Sequence, residues 1–458
     1  MPSKLIRKPQ PVNVNKDKKP GSGGGKNIQL LKGMKDILPA DQIYWNRLRE
    51  KAEKLASYYG YGRIDTPLLE TTRLYKRSIG EATDIVEKEM YTFTDLSGES
   101  VTLRPEGTAG VVRAYIEHGM LTVPQPVKFF YIGPMFRHEN PQSGRLRQHY
   151  QFGLEVIGEA SAAVDAEIIF LTHLFYRELG IETVIHINSI GTPDSRREYV
   201  KQLVAYFKRH RKSLSPDDQR RLVKNPLRLL DSKADGMAEL IEEAPQIVDW
   251  LDDDSKAHFM KVLEYLDAMG VPYVLEPTLV RGLDYYTKTV FEVVPTVNTE
   301  EEGKRPKALC GGGRYDGLVE MLGGREATPA CGVGIGLERA IIELKRQGKE
   351  PLLPIKPKVF LAQIGEAAKQ KAFGLMEEFR KEKMAMAQLF AKDSLKSQLE
   401  AADKIGVRYV LILGQKEVLE GTILIRDMTG GVQETISFEK VIPELKKRLK
   451  DLRTNKDE

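Results

Sequence analysis

The chain has 458 residues, 41% of them hydrophobic, enough for two or three separately cored domains. Its 70 basic and 65 acidic side chains leave a net charge of only +5, too mild to establish nucleic-acid binding, so local distribution has to decide. No run approaches ~18 consecutive apolar residues and the N-terminus carries no apolar stretch before a cleavage-like site, so neither a membrane span nor a secretory signal is expected, and a cytoplasmic protein is.

Residues 1–29 hold seven Lys or Arg against one acid, four Pro and the run Gly21-Ser22-Gly23-Gly24-Gly25, without a hydrophobic period. They read as a disordered basic arm. An organellar transit peptide is the rival reading, opposed by the single arginine, Arg7. From Tyr44 to Tyr59, Leu48, Ala52, Leu55 and Tyr59 recur at helical spacing, and Gly60 and Gly62 then mark a turn into an extended segment from Arg63 to Leu69. SVTLRPEGTAG reads as a strand ending at Glu106 and a helix starting at Gly107-Thr108, with Val111, Val112, Tyr115 and Ile116 as its buried stripe. Residues 127–136 and 148–158 read as two strands of an antiparallel hairpin around a loop rich in Pro, Gly and Asn.

Residues 191–278 are charged and helical, with Tyr199, Leu203, Val204 and Phe207 on one face, and read as an inserted module. Its stretch KRHRKSLSPDDQRRLVK is either a phosphate-tracking face or a solvated helix surface. Strand patterns return at residues 279–294 and 328–336, and LERAIIELKR closes the region as a helix. After the linker EPLLPIKP, the β-α-β-α-β alternation from PKVFLAQIG to VRYVLILG predicts a separate α/β domain on a mixed sheet. Cys310 and Cys331 lie in Gly-rich segments without a CxxC or Cys/His spacing, so they read as small packing residues. His138 and His149 sit eleven apart without a third ligand, and no metal site is expected.

In a strand, successive side chains alternate faces, so His149, Gln151, Gly153 and Glu155 point one way and Tyr150, Phe152, Leu154 and Val156 the other. Gln151 and Glu155 flank a glycine at roughly 13 Å between Cα atoms, at ~3.3 Å per residue, room for a small ligand with a polar group at each end. The same rule puts Gly332, Gly334 and Gly336 on one face, which would admit something flat. This is not the dinucleotide fingerprint, because the glycines lie within the strand and Arg339 follows in the helix. Arg137, Arg281 and Arg339, with their fixed forks of donors, suit a polyphosphate.

Those segments resemble the histidyl-tRNA synthetase family of class II aminoacyl-tRNA synthetases, over about residues 30 to 450. GYGRIDTPLLE with Pro67 resembles motif 1, MFRHENPQSGRLRQHYQFGLEVIG motif 2 and GVGIGLERAI motif 3. RGLDYYTKTVFEV and ALCGGGRYDGL resemble the histidine-specific signatures. The resemblance implies an α+β fold: a class II antiparallel sheet flanked by helices, an inserted helical module and a C-terminal α/β anticodon-binding domain. The expected layout is a catalytic domain over 30–346 with 191–278 inserted, a linker over 347–357, and an anticodon-binding domain with a basic C-terminal helix over 358–458.

The implied substrates are L-histidine, ATP with Mg2+ on its phosphates, and the histidine tRNA; the implied assembly is a homodimer. Arg137 would bind the α-phosphate, Glu139 the adenine edge and Arg339 the γ-phosphate, with the Gly332 to Gly336 face, including Gly334, under the adenosine. Glu106, Thr108 and Gln151 would hold the α-amino group, and Glu155, Tyr286 and Tyr315, with Tyr285 beside them, the imidazole. Arg281 would sit between the substrate carboxylate and the α-phosphate, making Arg281 and Arg137 the catalytic pair. Gln142, Arg145 and Arg147 would meet the tRNA acceptor end. The chain departs from the family pattern at Asn140 and Leu146, inside that loop. A regulatory paralogue serving ATP phosphoribosyltransferase is the rival from another class; it lacks the anticodon domain that residues 357–450 supply. A sister synthetase would share motif 3 but not RGLDYY and GGGRYDGL.

Overall fold

The computed structural model describes residues 27–141, 144–232, 234, 236–296, 308–349, 357–391 and 393–454. Gln142, most of the predicted basic arm and most of the predicted linker therefore lie outside the described residues. By its internal contacts the chain divides into two units, meeting at Glu350 and Pro351.

Helix Gln42–Tyr58 forms where the helical period was read, and it buries Leu48, Ala52, Leu55 and Ala56. They share a core with helix Ala162–Leu179, which is capped by the Ser161 hydroxyl accepting from the Ala163 N–H and ends at Gly180 in the left-handed conformation. Both helices cover one face of an eight-stranded sheet. Its strand order is Gly62–Arg63, Val127–Phe136, Gln148–Ile157, Ala330–Gly336, Cys310–Arg314, Thr287–Pro295, Thr183–Ser189 and Tyr273–Leu275. The outermost pairing at each edge is parallel and the five between are antiparallel. Phe152, Leu154, Val156, Phe291, Val333 and Ile335 point from this sheet into the helix-covered core. The alternate residues of the same strands face the opposite side, where the cavity described below opens.

Three local expectations shift. The strand expected to reach Glu106 ends at Leu103 and belongs to a separate three-stranded sheet with Leu69–Thr71 and Tyr91–Thr94. Pro105 has no N–H to continue the ladder, and the Arg104 guanidinium turns the chain instead, donating to the carbonyls of Pro134 and Thr66, each at 2.9 Å. Residues 279–286, expected to open a strand, are irregular; the strand begins at Thr287. The strand expected from residue 328 begins at Ala330.

Within residues 191–278, helices Pro193–Arg209, Pro216–Lys224 and Met237–Glu242 bury Tyr199, Leu203, Phe207, Leu222 and Met237 in a second core beneath the cavity side. Helix Asp253–Ala268 instead sends Phe259, Val262, Leu263 and Leu266 into the main core, and strand Tyr273–Leu275 edges the main sheet.

The second unit carries a five-stranded mixed sheet in the order Met386–Gln388, Val359–Gln363, Tyr409–Leu413, Thr422–Asp427, Gln433–Ser437. Its first three strands are parallel neighbours, as β-α-β crossovers require, and the last two run antiparallel as a hairpin. Helix Glu366–Lys381 packs on one face through Ala368, Ala372, Leu375 and Phe379, and helix Leu395–Ile405 on the other through Ala402. Gln363 and Gln398, both fully buried, exchange two hydrogen bonds of 3.1 and 2.8 Å beneath the second helix. Among the described residues no helix is long and apolar enough to cross a membrane.

Candidate active site

A cavity of about 430 Å³ opens on the glycine-rich side of the main sheet. Arg137, Arg281 and Arg339 line it, as do Glu139, Arg145, Gly334 and Gly336. So do Glu106, Thr108, Gln151, Tyr285 and Tyr286. Residues more than 200 positions apart are brought to one surface because strands Val127–Phe136, Gln148–Ile157, Ala330–Gly336 and Cys310–Arg314 are hydrogen-bonded neighbours. Glu155 and Tyr315 are not at the cavity wall but buried under it, at 0% and 1% exposure. Arg147 lies over Gly33 and donates through Nε to the Glu139 carbonyl at 3.3 Å, so it braces the loop rather than facing the cavity.

The glycines explain how the floor is built. The sequence suggested a bare ladder for a flat ligand; the structure divides it. A Cβ on Gly332 would collide with Oε2 of Glu155, and one on Gly153 would fall inside the Tyr131 ring. A Cβ on Gly311 would lie 2.6 Å from the Arg281 guanidinium. These three glycines seat protein side chains flat on the sheet, whereas Gly334 and Gly336, whose added Cβ atoms would meet nothing closer than 3.4 and 3.6 Å, keep the floor open. The face read as Gly332 to Gly336 therefore shrinks to Gly334 and Gly336.

Glu155 is engaged by three side-chain hydroxyls. Its Oε1 accepts the Thr108 hydroxyl at 2.7 Å and the Tyr131 hydroxyl at 3.3 Å, and its Oε2 accepts the Tyr315 hydroxyl. Burial pushes its pKa up to about 8 against the opposing effect of the Tyr315 and Thr108 bonds, so the group is mostly protonated at neutral pH. Glu106 occupies the N-terminus of helix Thr108–Glu117, accepting the Thr108 and Ala109 N–H groups at 2.6 and 2.9 Å. Burial raises its pKa too, although those two bonds pull it down.

At the opposite end, Arg137 donates through Nε to the Pro105 carbonyl at 2.8 Å and Arg339 through Nε to the Gly144 carbonyl at 3.3 Å. Arg339 also donates through Nη1 to the Ala308 carbonyl, so backbone holds it at two points and Arg137 at one. His149 lines the same end, and burial, with Arg137 and Arg339 nearby, drives its pKa down to about 3, leaving the imidazole neutral. Glu139 faces Arg145 at 3.3 Å and Arg137 at 3.9 Å. Arg281 pairs with Glu292, and its Cζ lies 6.0 Å from the Tyr286 ring centre.

Among the cavity residues that escaped sequence reasoning are Tyr131, His149 as a cavity group, Glu292 and Glu338. Glu338 accepts the Tyr150 N–H with both oxygens, at 3.0 and 2.9 Å, and burial pushes its pKa up to about 7. Two of them carry a shared signal. Tyr131 stands cross-strand from Gly153, and Glu292 from Gly311, just as Glu155 stands opposite Gly332 and Gln151 opposite Gly336. Tyr131 and Glu155 each occupy the space that the facing glycine leaves, whereas the space over Gly311 holds the Arg281 guanidinium with which Glu292 pairs.

A family model described as histidyl-tRNA synthetase matches residues 33–340, and one described as an anticodon binding domain matches residues 358–448. The chain belongs to the histidyl-tRNA synthetase family. The histidine-tRNA ligase of Dehalococcoides mccartyi strain BAV1 is 47% identical over 422 residues, covering 92% of this chain and all of that protein. That of Caldicellulosiruptor saccharolyticus is 43% identical over 423 residues, covering 92% and 100%. The crystal structure of apo S. aureus histidyl-tRNA synthetase superposes with a TM-score of 0.73 at 36% identity, covering 91% of this chain and 99% of that one. An ATP phosphoribosyltransferase regulatory subunit/histidyl-tRNA synthetase from Bacillus halodurans, at 21% identity and a TM-score of 0.59, shares the fold. The family assignment covers both units, and with them the anticodon-binding segment that the regulatory reading does without.

Proposed function

We infer that this protein activates L-histidine with ATP, forming histidyl-adenylate and pyrophosphate, and then transfers the histidyl group to the 3′ end of the histidine tRNA. The observation that carries the reading is the near full-length identity to histidine-tRNA ligases, joined to a cavity lined by Glu106, Thr108 and Gln151 together with Arg137, Arg281 and Arg339. Activation is in-line attack of the histidine carboxylate on the α-phosphorus of ATP. The carboxylate is nucleophilic without deprotonation, so the chemistry asks for positioning and for stabilisation of phosphoryl charge, not for a base.

The roles follow from what each group offers. Arg137, held by the Pro105 carbonyl, and Arg339, held by the Gly144 and Ala308 carbonyls, present their remaining N–H groups to ATP phosphates, with Glu139 toward the base and Gly334 and Gly336 beneath the nucleoside. Arg281 takes the developing charge between carboxylate and α-phosphate. Glu106 and Gln151 receive the ammonium, and Thr108, whose hydroxyl is committed to Glu155, links that subsite to the next. Glu155, held by Tyr131 and Tyr315, reads the imidazole with Tyr286, while Tyr285 packs between the rings of Tyr286 and Tyr315 at 4.7 and 5.6 Å. Mg2+ enters on the ATP phosphates as part of that substrate. Arg145, at the cavity mouth, and Gln142 and Arg147 of the same loop are assigned to the acceptor end of the tRNA.

We place the enzyme in the cytoplasm, with the layout of catalytic domain, inserted module and anticodon-binding domain given above. A homodimer is supported by Leu69 and Phe93, exposed on the three-stranded sheet, and Leu96, exposed in the turn that follows strand Tyr91–Thr94. Sedimentation of the purified protein tests it. The catalytic reading is tested by ATP-pyrophosphate exchange across an amino-acid panel, followed by charging of tRNA. Exchange with histidine alone is expected; exchange with another amino acid, or none, would refute it.

A further inference from the structure

We propose that Glu292 is a positioning residue that anchors Arg281 and competes with the substrate carboxylate for it; this rests on the reading that Arg281 receives that carboxylate. Arg281 is carried by an irregular segment, residues 276–286, so no helix or strand fixes its direction. What fixes it is the sheet. The guanidinium lies over Gly311, whose missing Cβ makes the space, and pairs through Nη1 with Oε1 of Glu292, the residue directly cross-strand from Gly311. Both side chains line the cavity. Burial works against the guanidinium charge, and the Glu292 carboxylate is the leading influence that restores it. Arg281 Nε is buried without a hydrogen-bond partner, so the pair leaves donor capacity unused.

Two consequences follow with opposite signs. Anchoring by Glu292 aims Arg281 at the reacting centre, which raises the rate. Occupation by Glu292 means that a substrate carboxylate must share or displace an existing partner, which weakens ground-state binding. Removing the charge of Glu292 should therefore tighten histidine binding while slowing its activation, a pattern that a purely structural residue does not produce.

The test uses the full chain with Glu292→Gln, Arg281→Gln and the double variant, measuring histidine binding by calorimetry and adenylate formation in a single turnover. Glu292→Gln is expected to bind histidine about threefold to tenfold more tightly, the range for a partly exposed ion pair. It should also form adenylate on the order of tenfold more slowly. In the Arg281→Gln background the same substitution should change neither quantity. Glu292→Asp, which keeps the charge and shortens the reach, should lose rate without the tighter binding. Weaker or unchanged histidine binding in Glu292→Gln, or effects that persist without Arg281, would overturn the proposal. A raised Mg2+ requirement in Glu292→Gln would overturn it as well, by making Glu292 a ligand of the ATP-bound metal. If Arg281→Gln alone altered neither binding nor activation, the role of Arg281 itself would fail, independently of anything Glu292 does.

Discussion

Replacing Glu155 with Gln should abolish a pH dependence of stability that the geometry predicts for the catalytic unit. In the unfolded chain this carboxyl ionises near its ordinary 4.5; in the folded protein it keeps its proton to about 8, because no solvent reaches it. The folded state therefore binds more protons between those two values, and its stability falls as pH rises through the window. The contribution is fully present below pH 4.5 and lost by about pH 8. Between pH 5 and 8 the loss is roughly 3 to 4 kcal/mol, at 1.36 kcal/mol per pH unit of full proton difference. Glutamine, neutral and of nearly the same shape, keeps an oxygen for Thr108 and Tyr131 and has no such dependence. Both tryptophans of the chain, Trp45 and Trp250, lie in the first unit, so urea unfolding followed by tryptophan fluorescence reads that unit alone. Other buried carboxyls titrate in both proteins and cancel in the difference. The stability of wild type relative to Glu155→Gln should drop steadily from pH 5 to 8; curves that stay parallel within about 1 kcal/mol would refute the reasoning.

Glu155→Ala should raise the histidine KM for pyrophosphate exchange roughly 10-fold to 150-fold, the cost of leaving a buried polar partner unpaired, with the ATP KM little changed. An unchanged histidine KM would remove Glu155 from the amino-acid subsite. Gly332→Ala places a Cβ on the Glu155 carboxylate and should impair histidine activation at least as much as Glu155→Gln, while Gly430→Ala in the second unit, with only a 3.9 Å neighbour, should leave activity intact; steady-state exchange compares them. A chain ending at Lys349 should still catalyse exchange but charge tRNA poorly, because the proposed small-molecule contacts all lie in the first unit. Equal charging by both lengths would detach the second unit from tRNA selection.

The elements legible in the sequence are those whose periodicity is local. Helix Gln42–Tyr58, the hairpin Val127–Phe136 with Gln148–Ile157, and the alternation of the second unit all follow from spacing along a few turns or strands. The end of strand Ser100–Leu103 was not legible, because the Arg104 bonds that turn the chain reach Thr66 and Pro134, 38 and 30 positions away. The depth of Glu155 was hidden for the same reason. Alternation tells which face a side chain takes but not what already lies there, and Tyr131, Thr108 and Tyr315 arrive from three other segments. Glu292 was invisible until the register of Cys310–Arg314 against Thr287–Pro295 placed it beside Gly311. Glycine spacing marked the cavity floor; only strand pairing says which side chains use it.

The groups of the cavity differ in how their charge is held, and in the proposed reading that difference would orient the substrates. Burial raises Glu106 and Glu155, so ionising them is unfavourable until something positive arrives. In the proposed reading the ammonium of histidine would supply that charge, and by linkage its binding would draw protons off this end. Near Arg137 and Arg339, His149, depressed to about 3, stays neutral, so the imidazole adds no charge to that of the two guanidiniums held by backbone carbonyls. A polyphosphate gains there and would be repelled by ionised carboxylates at the amino-acid end. In the proposed reading, histidine bound with its ammonium toward Glu106 would have its carboxylate toward Arg281, where attack on the α-phosphate would occur. The reaction geometry would then be set by the placement of buried charge before any catalytic step, a placement made possible by the glycines that seat Glu155 and Arg281 flat on the sheet.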